Sequence, residues 1–287
     1  MKFDLTKLAY ASLLVCFFVI SVAWGFELSD DDYKIDKILI LISLTIISML
    51  AALNLSTSFV KLIHLPEDVV ESKIPRKSTL WVMILIDTAI FGASAFMLNV
   101  LTLFLMPIIF LILALYPITK YTTFLSHFFF GLCFAVVPIY IWAAIWRSFF
   151  SISREFAVQP FILSFILMLW ATTLNINEDM NVSKNAGFKH TIPRNLGKKA
   201  GKFAINCNIS VLLGLLFFLT VINGHTFIIW IGLIISMILL ILSSQTHRGK
   251  ANEESVKRFN LLNFTSVVMY TFFLIADVLV QSYVLHN

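Results

Sequence analysis

The chain has 287 residues, of which 59% are hydrophobic and only 13% charged, with 28 Phe and a mean hydropathy of +0.91. Soluble domains carry about 25% charged residues, so this composition excludes a soluble enzyme or a solvated binding module and points to a polytopic membrane protein. The net charge of +5 resides in connections between apolar runs and is no sign of nucleic-acid binding.

Nine apolar segments, each near the ~20 residues that a bilayer core demands, run over 8–26, 38–60, 79–97, 100–116, 124–146, 159–175, 204–222, 226–243 and 260–283. Each is expected to be a helix, because lipid offers the backbone no hydrogen-bond partner. The opening stretch shares features with a secretory signal: Lys2, Lys7, an apolar core and Ser21-Val22-Ala23. Its apolar run is near span length and a second span follows after one short loop, so a retained helix is the preferred reading. With nine spans, seventeen of the 21 Lys and Arg fall in connections on the N-terminal side and four on the other. That asymmetry predicts a cytoplasmic N-terminus and an external C-terminus. Cys16, Cys133 and Cys207 lie in apolar runs at unrelated spacing and read as packing residues, not a disulfide or metal set.

Two connections on the predicted cytoplasmic side are long and polar. Residues 61–78 end in Lys73-Ile-Pro75-Arg76-Lys77; residues 176–202 carry six Lys/Arg, Glu178, Asp179, His190 and Thr191-Ile-Pro193-Arg194. A long polar connection in a chain otherwise built for lipid is a natural place for chemistry. Each follows a span ending in small polar residues: Asn54, Ser56, Thr57 and Ser58 in one case, Asn175, Asn177, Glu178 and Asp179 in the other. The echo suggests a weak internal repeat of two helix–loop–helix units whose polar ends line a mouth above an apolar cavity. Helix capping and interhelical hydrogen bonding account for the same residues without a site.

Lys120 follows Tyr116-Pro-Ile-Thr in a predicted tight turn, where a cation either binds phosphate or anchors the span at the interface. Asp87 lies mid-span, at a cost of roughly 2.5–3.5 kcal/mol on insertion scales. It is either functional or a neutral hydrogen-bonding group between helices, and it is the basis of a transporter reading. His64 and His190 have no partner at metal-ligand spacing.

The run Tyr116-Pro-Ile-Thr-Lys120-Tyr-Thr-Thr-Phe-Leu-Ser-His127-Phe-Phe-Phe-Gly131, leading to Pro138 and Trp142, resembles the UbiA-type intramembrane prenyltransferases. In those enzymes a Y-[PS]-x-T-K-R-x-T-x-L-[SP]-[HQ]-x-x-L-G stretch leads to a Pro and a Trp. Asn54 matches the Asn that opens the family's first N-D-x-x-D-x-x-x-D motif. Asp179 through Gly187 to Ile192-Pro193 matches its second acidic motif, and Phe259-Asn-Leu-Leu-Asn263 its F-F-x-x-N opening of the last helix. Within the family, the S-H-x-x-x-G run is most similar to the 4-hydroxybenzoate and menaquinone-pathway enzymes.

The resemblance implies an all-α bundle of nine transmembrane helices, one domain over 1–287, with a lateral apolar cavity capped by the two long connections. It implies transfer of a polyprenyl group from its diphosphate to an aromatic acceptor in a bacterial cytoplasmic membrane, with Mg²⁺ bridging diphosphate and acidic motifs. Residue by residue, it points to Asp179 and Lys120 for catalysis. Substrate contacts fall to Asn54, Ser58, Arg76, Lys120 and Arg194, and metal ligation to Asn54, Glu178 and Asp179. The chain departs from the family where the metals bind: Leu55, Ser58, Leu62 and Ser183 stand at aspartate positions, and Tyr121 replaces an Arg. Two readings follow, an active prenyltransferase or a catalytically silent relative that binds an isoprenoid or quinone or partners an active enzyme.

Overall fold

A computed structural model describes residues 35–63, 77–146, 159–181, 191–223, 226–246 and 253–286. The predicted first span, 8–26, lies outside the described residues. Eight long helices are seen: α1 (Ile35–Ile63), α2 (Lys77–Leu98), α3 (Val100–Thr122), α4 (Ser126–Trp146), α5 (Gln159–Asn181), α7 (Lys198–Asn223), α8 (Phe227–Thr246) and α9 (Glu253–His286). A single turn, α6 (Ile192–Asn195), precedes α7. All eight long helices are long and apolar enough to cross a membrane.

Several helices outrun their apolar windows at one end of the bundle. Helix α5 continues through Asn177, Glu178 and Asp179; α7 begins at Lys198 and α9 at Glu253. Of the stretch 176–202, expected above to be a connection, 176–181, 192–195 and 198–202 are therefore helical. Hydropathy marks where lipid stops, whereas a helix already propagating adds each further residue at little cost. The same correction applies to Lys120, which lies in the last turn of α3, not in a loop; the turn itself spans Thr123–Leu125. Between α6 and α7 the chain turns at Gly197, with φ of +86°, a conformation that glycine adopts without a Cβ clash. Pro193 sits in the first turn of α6, where its missing N–H is no loss.

Asn99 begins α3 with a capping box: its side chain accepts from Thr102 N–H at 2.9 Å, and its own N–H donates to Thr102 Oγ1 at 3.3 Å. Its Nδ2 also donates to the Ala143 and Ala144 carbonyls of α4, at 2.9 and 3.2 Å. One residue thus closes the α2–α3 link and ties it to the end of α4. Asn99→Ala is expected to cost about 1–2 kcal/mol, read as a lowered midpoint of thermal unfolding in detergent.

The apolar interior forms two clusters. Ala51, Leu55 and Phe59 of α1 meet Ile84 and Phe91 of α2, Ile109 and Leu113 of α3, and Tyr140 and Ala144 of α4. The larger cluster joins α5, α7, α8 and α9 to the other face of α4. Helix α5 packs on α4, α7 and α9 and is the most enclosed span, with 72% of it buried. Helices α8 and α9 are stitched by reciprocal bonds, Ser236 Oγ to Ser266 O at 2.9 Å and Ser266 Oγ to Ser236 O at 3.1 Å. Small hydroxyls of this kind bring transmembrane helices close.

Candidate functional site

The polar end of α5 is the structural centre of the site. Ile176 and Met180 belong to the larger apolar cluster, which anchors this turn while Asn175, Asn177 and Asp179 are buried beside them. Helix α4 approaches α5 closely at Gly131. A Cβ there would lie 2.4 Å from Thr172 Oγ1 and 2.7 Å from the Met168 carbonyl, so only glycine permits the crossing. One turn earlier, Thr172 Oγ1 donates to the His127 carbonyl at 3.2 Å. Side chains lean toward the N-terminus of their helix, and His127, in the first turn of α4, reaches the end of α5. Its Nε2 lies 3.6 Å from Asp179 Oδ2. Both groups are enclosed, with His127 1% and Asp179 8% exposed.

Tyr116 of α3 is buried within electrostatic reach of both Asp179 and Glu178, and the backbone of Lys120 follows one turn later on α3. From Tyr116 a file of rings leads into the larger cluster. Centroids are 5.2 Å apart to Phe130, then 5.1 Å to Phe134, 6.4 Å to Trp170 and 6.5 Å to Phe264.

Adjacent residues on a helix do not face one another, and Glu178 takes another direction. Exposed on α5, it accepts from Asn260 Nδ2 of α9 at 3.4 Å. Asn260 Oδ1 in turn accepts from Asn177 Nδ2 at 2.7 Å. The two neighbouring carboxylates thus have different partners, His127 of α4 for Asp179 and Asn260 of α9 for Glu178.

The remaining predicted residues separate into groups. Asn54 is exposed near the end of α1, and its carbonyl accepts from Thr57 Oγ1 at 2.8 Å. Ser58 is buried. Leu55, Ser58 and Leu62, at the three aspartate positions, share one helical face; Leu55 is fully buried in the smaller cluster and Leu62 packs against it. That face is used for packing. The backbone of Arg194 lies in α6 beside Pro193, which with Met180 closes around Gly201 of α7. Arg76 and Ser183 fall outside the described residues. Asn263 is fully buried and donates to Ser243 Oγ of α8 at 2.8 Å, a tie within the bundle. Asp87 lies on the inner face of α2 with Ile84, Phe91 and Ser94, well along the helix from the polar end. The sequence assigned no role to His127, Tyr116 or Asn260, although all three lie within the stretches that carry the family resemblance.

Whether a divalent metal fits depends on the donors. Among the described residues no three His, Cys, Asp or Glu side chains come together as a metal site, and α1 supplies no carboxylate at the polar end. A pair of ions bridging both motifs does not fit these residues. One ion does, because Mg²⁺ is commonly held by one or two carboxylates together with substrate phosphates. Asp179, buried beside His127, would be the carboxylate to hold it.

A membrane-spanning helical bundle with a buried acid–imidazole pair at one polar end defines the class, a polytopic intramembrane protein whose site lies at the mouth of an apolar core. The model of the UbiA prenyltransferase family matches residues 67–268, and the chain belongs to that family. The fold is similar to that of a UbiA homologue from Aeropyrum pernix K1, solved in its apo form. The TM-score is 0.70 at 18% identity, over 93% of this chain and 97% of that one. It is also similar to a UbiA homologue from Archaeoglobus fulgidus bound to Cd²⁺, with TM-score 0.60 and 14% identity over 94% and 98%. No curated protein sequence matches the chain.

Proposed function

We propose that the protein transfers a polyprenyl group from its diphosphate to an aromatic ring, as in quinone-pathway enzymes. The observation that carries this is the buried Asp179, held against His127 at the head of the Tyr116–Phe130–Phe134–Trp170 file. The Lys/Arg asymmetry supports a cytoplasmic position for this end, as in a bacterial cytoplasmic membrane, where water-soluble acceptors and diphosphates have access. The prenyl chain lies in the apolar interior, and its diphosphate meets Asp179, Lys120 and Arg194, with Asn54 and, by the family resemblance, Arg76 as further contacts.

The chemistry then divides between charge and dryness. The bond between C1 of the prenyl group and the diphosphate oxygen breaks, and its electron pair leaves with the diphosphate. Lys120 and Arg194 stabilise that developing charge. A single Mg²⁺ held by Asp179 supplies Lewis-acid neutralisation of the diphosphate when bound, in keeping with the Cd²⁺ found in the Archaeoglobus homologue. Aromatic faces favour a nearby cation, and the apolar walls exclude the water that would quench it. A ring carbon of the acceptor forms the new C–C bond and the ring loses a proton.

The test is an assay of purified full-length protein in lipid with Mg²⁺, labelled prenyl diphosphates of several lengths and a panel of hydroxybenzoate and naphthoate acceptors. Prenylated product is expected with at least one aromatic acceptor. Binding of prenyl diphosphate with no product from any acceptor would instead identify a silent relative. Lys120→Ala is expected to lower kcat/KM by about 10²-fold, the scale for losing one preorganised charge-stabilising group.

A further inference from the structure

We infer that His127 is a positioning residue for Asp179, acting through the carboxylate and not on the substrate. The inference rests on the function proposed above and deepens it. Three observations converge. His127 Nε2 lies 3.6 Å from Asp179 Oδ2, inside ion-pair range and slightly beyond a direct hydrogen bond. The imidazole is almost wholly enclosed, so this orientation is imposed by packing. Finally, its backbone is fixed from the same helix that carries the carboxylate: Thr172 Oγ1 of α5 donates to the His127 carbonyl, and the Gly131 crossing sets the height of α4 against α5.

These contacts have a consequence for a site with few acids among the described residues. Where several aspartates share a ligand, each tolerates some disorder in the others. With Leu55 and Leu62 given over to packing on α1, the orientation of Asp179 decides whether its second oxygen is presented to a diphosphate-bound cation. Partners of metal-ligating side chains typically govern 10–100-fold in affinity or activity. Glu178, exposed on α5, has a different partner, Asn260 of α9.

The experiment is a double-mutant cycle on full-length protein in lipid nanodiscs, using titration calorimetry of inorganic pyrophosphate in the presence of Mg²⁺. His127→Ala is expected to weaken pyrophosphate binding 10–100-fold. His127→Gln, whose amide can still donate toward the carboxylate, should stay within about threefold of the parent. In the Asp179→Asn background, His127→Ala should have almost no further effect, because the group it orients is gone. An equal loss with or without Asp179, or a Gln variant as weak as the Ala variant, would show a structural role and overturn the inference. So would a parent protein that binds no pyrophosphate with Mg²⁺. A parent that binds pyrophosphate but turns over no prenyl diphosphate would sink the proposed transferase activity alone, leaving the cycle to decide the role of His127.

Discussion

Asp179→Asn is expected to lower prenyl transfer by about two to three orders of magnitude, the scale for removing one preorganised electrostatic group from a water-poor site. The amide keeps the size of the side chain and its capacity to hydrogen-bond, so the change isolates charge. Asp179 is the buried carboxylate paired with His127, while Glu178 is exposed and accepts from Asn260 of α9. The loss should fall on kcat/KM, with thermal unfolding nearly unchanged. Retention of more than about a tenth of the activity would mean that another group bears the charge chemistry. Glu178→Gln, by contrast, is expected to be much milder, since it acts at the α5–α9 contact.

Gly131→Ala should damage both stability and activity. A Cβ would sit 2.4 Å from Thr172 Oγ1, 2.7 Å from the Met168 carbonyl and 2.9 Å from Met168 Cγ. The side chains have some freedom but the carbonyl belongs to α5, so the two helices must part. Overpacking of this kind costs typically 1–3 kcal/mol. Separation also breaks the Thr172–His127 contact and shifts the imidazole from Asp179, so transfer falls in the protein that still folds. Gly214 in α7 is the natural control, because an added Cβ there meets nothing within 4 Å. Gly214→Ala should be neutral or slightly stabilising, since Ala is the better helix former by about 1 kcal/mol. Equal unfolding midpoints for the two variants would contradict the tight crossing.

The spans were legible because hydropathy reports the bilayer directly; helix ends and site geometry were less so. Asn177, Glu178 and Asp179 look like loop residues in the sequence, yet α5 simply continues through them with Ile176 and Met180 anchored in the core. The motif likeness located Asp179 and Lys120 at one end of the bundle. It gave no hint that Glu178 and Asp179 diverge, which follows from the 100° step between neighbours on a helix. The His127–Asp179 pair depends on how α4 crosses α5, and that is set by Gly131 and Thr172 in three dimensions. The inward packing of Leu55 and Leu62 agrees with their i, i+7 spacing, but only the fold shows that they join the cluster of Phe91 and Tyr140.

The central claim, that this polar end breaks a prenyl diphosphate, is tested most directly by following both products of the reaction together. Purified protein in lipid, given Mg²⁺, a labelled prenyl diphosphate and an aromatic acceptor, is predicted to yield pyrophosphate and prenylated ring in equal amounts. Prenyl diphosphate left intact across chain lengths and acceptors would contradict the account.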